Sequence, residues 1–168
     1  AELQPHLNDL ATALYRTCPS GEGASGGIKL SSNQLDEVLE NGAQWALKRG
    51  LARPEDLTRT EESGTMPGAD ACKVSPQAKQ RGRDQLGTLG AGNHFIEVAV
   101  VDEVFHEHAA EVMGLRPGLV VVQIHCGSRG FGHQVCTDYV RDFQSVIKRY
   151  GITLADRELV CAPLSSPE

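Results

Sequence analysis

Two glycine-rich runs, each joined to a histidine and an apolar segment, constrain this chain more than any other feature. The first is Gly87-Thr88-Leu89-Gly90-Ala91-Gly92-Asn93-His94-Phe95-Ile96-Glu97, and the second is Gln123-Ile124-His125-Cys126-Gly127-Ser128-Arg129-Gly130-Phe131-Gly132-His133. In the first, the loop precedes an apolar stretch from His94 to Val101. In the second, it follows the stretch Leu119-Val120-Val121-Val122-Gln123-Ile124. Glycine lets backbone approach a ligand closely. Two histidines beside such backbone point to a metal, and backbone N–H groups next to Arg129 point to a phosphate. A histidine taken alone is more often a core or surface residue, and it is the glycine context that makes these two candidates. Two ligands still fall short of the three that a catalytic metal needs, so Asp, Glu or Cys elsewhere must complete the set.

The elements between these runs follow from local signals. Leu3, Leu7, Leu10, Ala11 and Leu14 have helical spacing, broken near Pro5. Residues 18–27 form a glycine-rich loop without the Gly-Lys-Ser/Thr ending of a phosphate-binding P-loop, and read equally as a connector or a functional loop. A helix is expected over 32–49, capped by Ser31 or Ser32 with Gln34 placed for a capping box and Gly50 as its stop. Pro54-Glu55-Asp56-Leu57 allows one helical turn, and Glu61-Glu62-Ser63-Gly64 reads as a surface loop. Ser75 and Pro76 open a short helix that Gly82 ends, so Arg81 sits at the edge of the first glycine run.

A strand is expected from His94 to Val101. Strict alternation puts His94, Ile96, Val98 and Val100 on one face and Phe95, Glu97 and Ala99 on the other, unless the strand twists or begins after His94. Residues 105–113 read as a short helix. Its His106 and His108 do not face each other and belong to the surface. The stretch 119–124 is apolar enough for a central strand. A helix follows over 133–150, with Val135, Cys136, Tyr139, Val140, Phe143, Val146 and Ile147 as its apolar face. Strand, glycine loop and helix N-terminus together make an anion-binding arrangement, to which Arg129 adds a fork of donors.

Bulk properties exclude several classes. With 168 residues the chain fits one domain, and a net charge of −6 argues against gripping nucleic acid by overall charge, though not against a local basic site. Lys73, Lys79, Arg81 and Arg83 gather just before the first glycine run. Five cysteines, an odd number without CxxC spacing, disfavour a zinc finger or a disulfide scaffold and suit a reducing, cytoplasmic setting. There is no apolar run of membrane-spanning length and no signal peptide in the first residues, so no membrane partner is expected. A dinucleotide site is disfavoured because Gly90-Ala91-Gly92 precedes a strand and lacks the third glycine. Ser128 lacks the first glycine of a nucleophile elbow, and Cys126 beside His125 would point away from it along a strand.

The two runs, from Leu86 to Val98 and from His125 to Val135, closely resemble the RtcB family of RNA-splicing ligases. The likeness extends through Leu35-Asp36-Glu37-Val38-Leu39 with Trp45, Glu61-Glu62-Ser63-Gly64, Val74-Ser75, Arg81-Gly82 and Asp156-Arg157-Glu158-Leu159. The resemblance implies an enzyme that joins RNA 2′,3′-cyclic phosphate or 3′-phosphate ends to 5′-hydroxyl ends, in tRNA splicing or RNA repair. GTP is the implied cosubstrate, two manganese ions the implied metals, and a histidine–GMP intermediate the implied route. On this likeness His94 and His125 are manganese ligands, and Asn93, His94, Phe95, Ile96 and Glu97 line the nucleotide site. Asn93 contacts the GTP phosphates and Glu97 reads the guanine edge. Arg81 and Arg129 hold phosphates of the RNA ends.

The same resemblance marks what the chain lacks. The family's Cys/Asp metal motif lies upstream of this segment, and a further His ligand and the guanylylated His lie downstream. Residues 1–168 therefore read as the central portion of a ligase catalytic domain, expected to be inactive alone and completed by missing portions. Its partners are RNA ends, from tRNA exon halves or broken RNA. The alternatives are a catalytically silent module that binds metal or phosphate, and a metal-dependent phosphoesterase. The expected architecture is α+β, a mixed sheet packed by helices in a partial RtcB-like fold. The strands from 94 and from 119 must lie near each other if their histidines share a metal.

Overall fold

The computed structural model describes residues 3–156 and 158–168. Ala1, Glu2 and Arg157 lie outside the described residues, and with Arg157 part of the 156–159 run. The chain is α+β, as expected, and divides into two compact units, each built from two separated stretches. One comprises Ala1–Gly27 and Gly87–Gly127, the other Ile28–Leu86 and Ser128–Glu168.

The first unit carries the sheet. After a short 3₁₀ turn at Gln4–His6, helix α1 spans Leu7–Thr17. Pro5 sits inside that turn, which accounts for the break expected there. The glycine-rich loop that follows is not a bare connector. Gly21 N–H donates to the Gly90 carbonyl at 2.8 Å, and Leu89 N–H donates to the Pro19 carbonyl at 2.8 Å. It is thereby laced to the run that ends in His94.

The next stretch, Ile28–Leu86, belongs to the second unit, and the chain returns to the first unit before strand β1, Phe95–Val100. Helix α6, Glu107–Val112, then leads to β2, Val120–His125. The strands pair antiparallel, with Phe95 opposite His125 and Val100 opposite Val120. Among the described residues the sheet has these two strands only. The expectation of a central 119–124 strand is corrected: β2 has one neighbour, and Val122 and Ile124 are each 62% exposed. Apolarity signals a face that favours burial but does not specify what buries it. His106 precedes α6 and caps it, its Nδ1 accepting from the Ala109 N–H at 3.1 Å.

The second unit is helical. Helix α2 covers Ser32–Asn41 and α3 covers Ala43–Lys48. The capping box is as expected: Gln34 N–H donates to Ser31 Oγ at 3.3 Å, and Ser31 N–H donates to Gln34 Oε1 at 2.9 Å. The single helix expected over 32–49 is broken at Gly42, which has φ +53°. Its cause lies elsewhere in the chain. A side chain on Gly42 would strike the Gly64 carbonyl, and Thr65 Oγ1 donates to the Asn41 carbonyl freed by the break, at 2.7 Å. The 61–64 loop is thus exposed, as expected, at Glu61 and Glu62, while its end wedges the helix apart.

Leu30, Leu35 and Trp45 form the buried cluster of this unit, with Ile28, Val38, Leu39, Ala46 and Leu86 packed around it. Trp45 Nε1 donates to Glu37 at 3.3 Å, and Arg49 lies over the indole at 5.2 Å. Helix α4 spans Pro54–Thr58 and α5 spans Pro76–Gly82. Lys79 ties α5 to α2 through Asp36 at 2.7 Å, so the acidic turn of α2 is not merely solvated.

Helix α7 runs over Arg129–Arg149 and begins four residues earlier than the sequence suggests, directly at the glycine loop. Its expected apolar face also needs correction. The buried positions are Gln134, Asp138, Val146 and Ile147, while Cys136 and Tyr139 are exposed. The buried stripe follows the side of α7 that meets α5, and that side requires polar partners.

Candidate active site

The candidate residues divide between the units, the histidines falling in the sheet unit and the arginines in the helical unit. In the sheet unit, the antiparallel register brings the start of β1 against the end of β2. This places the rings of His94 and His125 with centroids 5.6 Å apart and planes inclined by 33°. Phe95, paired with His125 across the ladder, stacks on it at 5.7 Å and 15°. The strand begins at Phe95, so alternation does not govern His94, and the two histidines meet despite the pattern.

His94 Nδ1 is 2.9 Å from the Ala91 carbonyl. A carbonyl cannot donate, so Nδ1 carries the proton and the lone pair lies on Nε2. This is how metal-ligating histidines are commonly oriented. Gly127 faces that nitrogen, and a Cβ there would lie 3.3 Å from Nε2. The glycine keeps the space in front of His94 open. Among the described residues no group of three or more His, Cys, Asp or Glu is assembled for a metal. Two histidines alone fall short of the donor set that a catalytic metal needs.

Of the remaining residues in the first run, Asn93 is exposed before the strand. Phe95 and Glu97 share the face that carries His125 and Gln123, and Glu97 is exposed there. Ile96 points to the opposite face with Ile124, so the run Asn93–Glu97 does not present all its side chains to one side. Cys126 Sγ donates to the Leu89 carbonyl at 3.2 Å, a structural contact that leaves it no evident nucleophilic role.

In the helical unit, Arg129 occupies the first residue of α7 with φ +56°, a left-handed conformation that L-residues disfavour. Ser128, the residue before it, makes no side-chain cap. Arg81, exposed at the end of α5, lies against the second glycine run: a Cβ on Gly130 would come within 3.2 Å of its Nε. Its Nη1 donates to Gln134 Oε1 at 2.9 Å. Close packing of α5 on α7 requires Gly82, whose Cβ would lie 2.8 Å from the Phe131 ring.

Sequence reasoning passes over the residues that organise this contact. Gln134 Nε2 donates to Asp138 Oδ1 at 3.0 Å, and Ser75 Oγ donates to Asp138 Oδ2 at 2.6 Å. Ser75 also caps α5 by accepting from Ala78 N–H at 3.2 Å. The available signal was the i,i+4 spacing of Gln134 and Asp138 on the stripe that continues to Val146. A cavity of about 550 Å³ beside this network is lined by Ser75, Asp138, Tyr139, Arg141 and Glu168, and the paired histidines take no part in it.

The Asp138 carboxyl is held below the ordinary carboxylate range, first by the Ser75 hydrogen bond, then by Gln134, with burial opposing and Arg141 assisting. A carboxylate with a lowered folded pKa favours the fold fully above the unfolded value of about 3.9. That contribution is lost as pH falls from there through the lower folded value. Acid unfolding followed by circular dichroism is expected to show this dependence, and Asp138→Asn is expected to flatten it. An unchanged acid limb in the variant would show that the carboxylate carries no such linkage.

Comparison with known proteins matches the amino-acid sequence to a known family. A family profile described as tRNA-splicing ligase RtcB matches residues 1–168. The chain belongs to the RtcB family of tRNA-splicing ligases. It is 51% identical over 167 residues to the tRNA-splicing ligase RtcB of Aeropyrum pernix, covering 99% of this chain and 35% of that protein. It is 50% identical to the RtcB of Methanocaldococcus jannaschii, again over 99% of this chain but 17% of that protein. Identity to the Archaeoglobus fulgidus RtcB is 47%, with 99% of this chain and 35% of that protein covered. The chain thus spans about a third or less of the length of these curated relatives. No helix among the described residues is long and apolar enough to cross a membrane.

Proposed function

We propose that this chain supplies part of the metal- and nucleotide-binding centre of an RtcB-type RNA ligase. The ligase would join RNA 2′,3′-cyclic phosphate or 3′-phosphate ends to 5′-hydroxyl ends, with GTP and manganese, in the cytoplasm. The observation that carries this reading is the meeting of His94 and His125 at 5.6 Å across the Phe95–His125 pair of the ladder. The bond to Ala91 that orients His94, and the open face kept by Gly127, support it.

In this reading His94 and His125 hold manganese, a metal compatible with imidazole and oxygen donors. When bound, the metal would supply Lewis-acid polarisation of a phosphoryl oxygen. The ligands that this chain does not assemble would come from other portions of the ligase, as would the guanylylated histidine. Asn93 contacts the GTP phosphates. Glu97, exposed beside Phe95 and His125, accepts from guanine N1 and N2, the donor edge that a carboxylate suits. Phe95 fixes the plane of the His125 ring. Ile96 serves the nucleotide site indirectly, by anchoring the strand from its other face. Arg81 and Arg129 take phosphates of the RNA ends, with Arg129 at the start of α7, where the helix dipole also favours an anion.

The test is ligation by the full-length protein that carries this chain. One RNA ends in a 3′-phosphate or cyclic phosphate, and its partner begins with a 5′-hydroxyl. Joining that requires both GTP and manganese is expected. Phosphate release without GTP would replace this reading with a phosphoesterase, and neither activity would leave a binding module.

A further inference from the structure

We propose that Gln134, backed by Asp138, is a positioning residue that orients the Arg81 guanidinium without neutralising it. The proposal rests on Arg81 as a phosphate-binding residue and explains how that residue is kept ready.

The chain of donors and acceptors leaves one arrangement. Asp138, 7% exposed, is an ionised acceptor, and its two oxygens take Ser75 Oγ–H and Gln134 Nε2–H. Arg81 is donor-only. Gln134, 6% exposed, lies between an acceptor and a donor, and its amide serves both in one orientation: NH₂ toward Asp138, oxygen toward Arg81. Ser75 caps α5, and Asp138 and Gln134 lie on α7, so the network locks the two helices that place the guanidinium at Gly130.

The choice of a neutral amide matters. A carboxylate at position 134 would also hold an arginine, but as a bidentate ion pair that consumes its charge. Here the nearest acceptor to Nη1 is an amide oxygen, and the charge that polarises it sits one residue further back. The guanidinium is fixed in direction while its charge and remaining donors stay suited to an incoming phosphate. Arg141 Nη1, 3.6 Å from Asp138 Oδ1, offsets the charge of the buried carboxylate.

Two readouts test this on the 168-residue chain: the ¹⁵N resonance of Arg81 Nε–H, and the affinity for an RNA oligonucleotide ending in a 3′-phosphate against the same oligonucleotide ending in a hydroxyl. The unmutated chain is expected to give an ordered Arg81 resonance and a preference for the phosphate end. Gln134→Glu, always made together with Asp138→Asn so that position 138 donates to the new carboxylate instead of opposing it, is expected to keep the resonance ordered yet reduce that preference about tenfold, because the new ion pair competes with the ligand. Gln134→Leu is expected to average the resonance and weaken phosphate binding. In an Arg81→Ala background neither change is expected to cost further affinity. A merely structural role would not separate order from affinity in this way. Should Gln134→Leu fail to fold, the near-isosteric Gln134→Glu carries the test alone. Undiminished phosphate preference in Gln134→Glu, with Arg81→Ala defective, overturns the positioning role while sparing the phosphate reading. An Arg81→Ala chain that keeps the preference overturns both.

Discussion

Replacing His94 and His125 together with alanine is expected to lower manganese affinity by more than about 100-fold. That figure is the upper end of the 10- to 100-fold loss typical when only an outer-shell partner is removed, and here the ligands themselves go. The two imidazoles, with centroids 5.6 Å apart and one oriented by the Ala91 carbonyl, are the ligands proposed for this chain. Titration calorimetry on the folded chain, with and without GTP, measures the change. His106→Ala with His108→Ala provides the control, since both residues are exposed in or beside α6. Equal manganese binding by the two double variants would sink the assignment. Absence of binding in the unmutated, folded chain would show that the pair is not a preformed half-site. If the charge stabilisation by the metal is worth several kcal/mol, the same double variant in the full-length ligase is expected to lose two or more orders of magnitude in joining rate.

Trp45→Ala is expected to destabilise the helical unit by about 3–5 kcal/mol, the range for removing a large buried aromatic. Against a total of about 5–15 kcal/mol for a typical protein, that is enough to populate the unfolded form at moderate temperature. Trp45 is 6% exposed and is one of the three residues that define the buried cluster. The substitution also removes the indole N–H that Glu37 accepts and the surface under Arg49. Thermal unfolding followed by circular dichroism reads the effect. A midpoint lowered by less than a degree or two would mean that Leu30 and Leu35 hold the unit together without the indole. The paired histidines belong to the other unit, so their metal binding is expected to survive at low temperature.

The features legible in the sequence are those decided within a few residues. Ser31 and Gln34 form their capping box, and Ser75 and Pro76 start α5, because both signals act across one turn. The 119–124 segment and the histidine at its end were legible from a short apolar run meeting a glycine loop. Alternation left the placement of His94 open, and the ladder begins one residue later, as one of the two readings allowed. Meeting of the histidines depends on register between segments some 30 residues apart, which neither segment encodes by itself. The break at Gly42 is a contact with Gly64, and a helical pattern of apolar residues continues across it without a sign. On α7, Gln134 and Asp138 carry no apolar signal, so hydrophobic periodicity could not mark the face that packs on α5. Sequence likeness named the family, whereas the support behind Arg81 emerged only from the coordinates.

Construction of each unit from two separated stretches has a consequence for its synthesis. Ser75 is made 63 residues before the Asp138 that takes its hydroxyl proton. At about 5–20 residues per second on the ribosome, that interval lasts roughly 3–13 seconds. The Leu30, Leu35 and Trp45 cluster lies within the earlier stretch and can assemble as it emerges. Helix α5, whose Gly82 meets Phe131 of α7, has to wait while the whole intervening strand-bearing segment is translated. The nascent chain therefore passes through a stage in which the α5 segment has been made and the face it packs on has not.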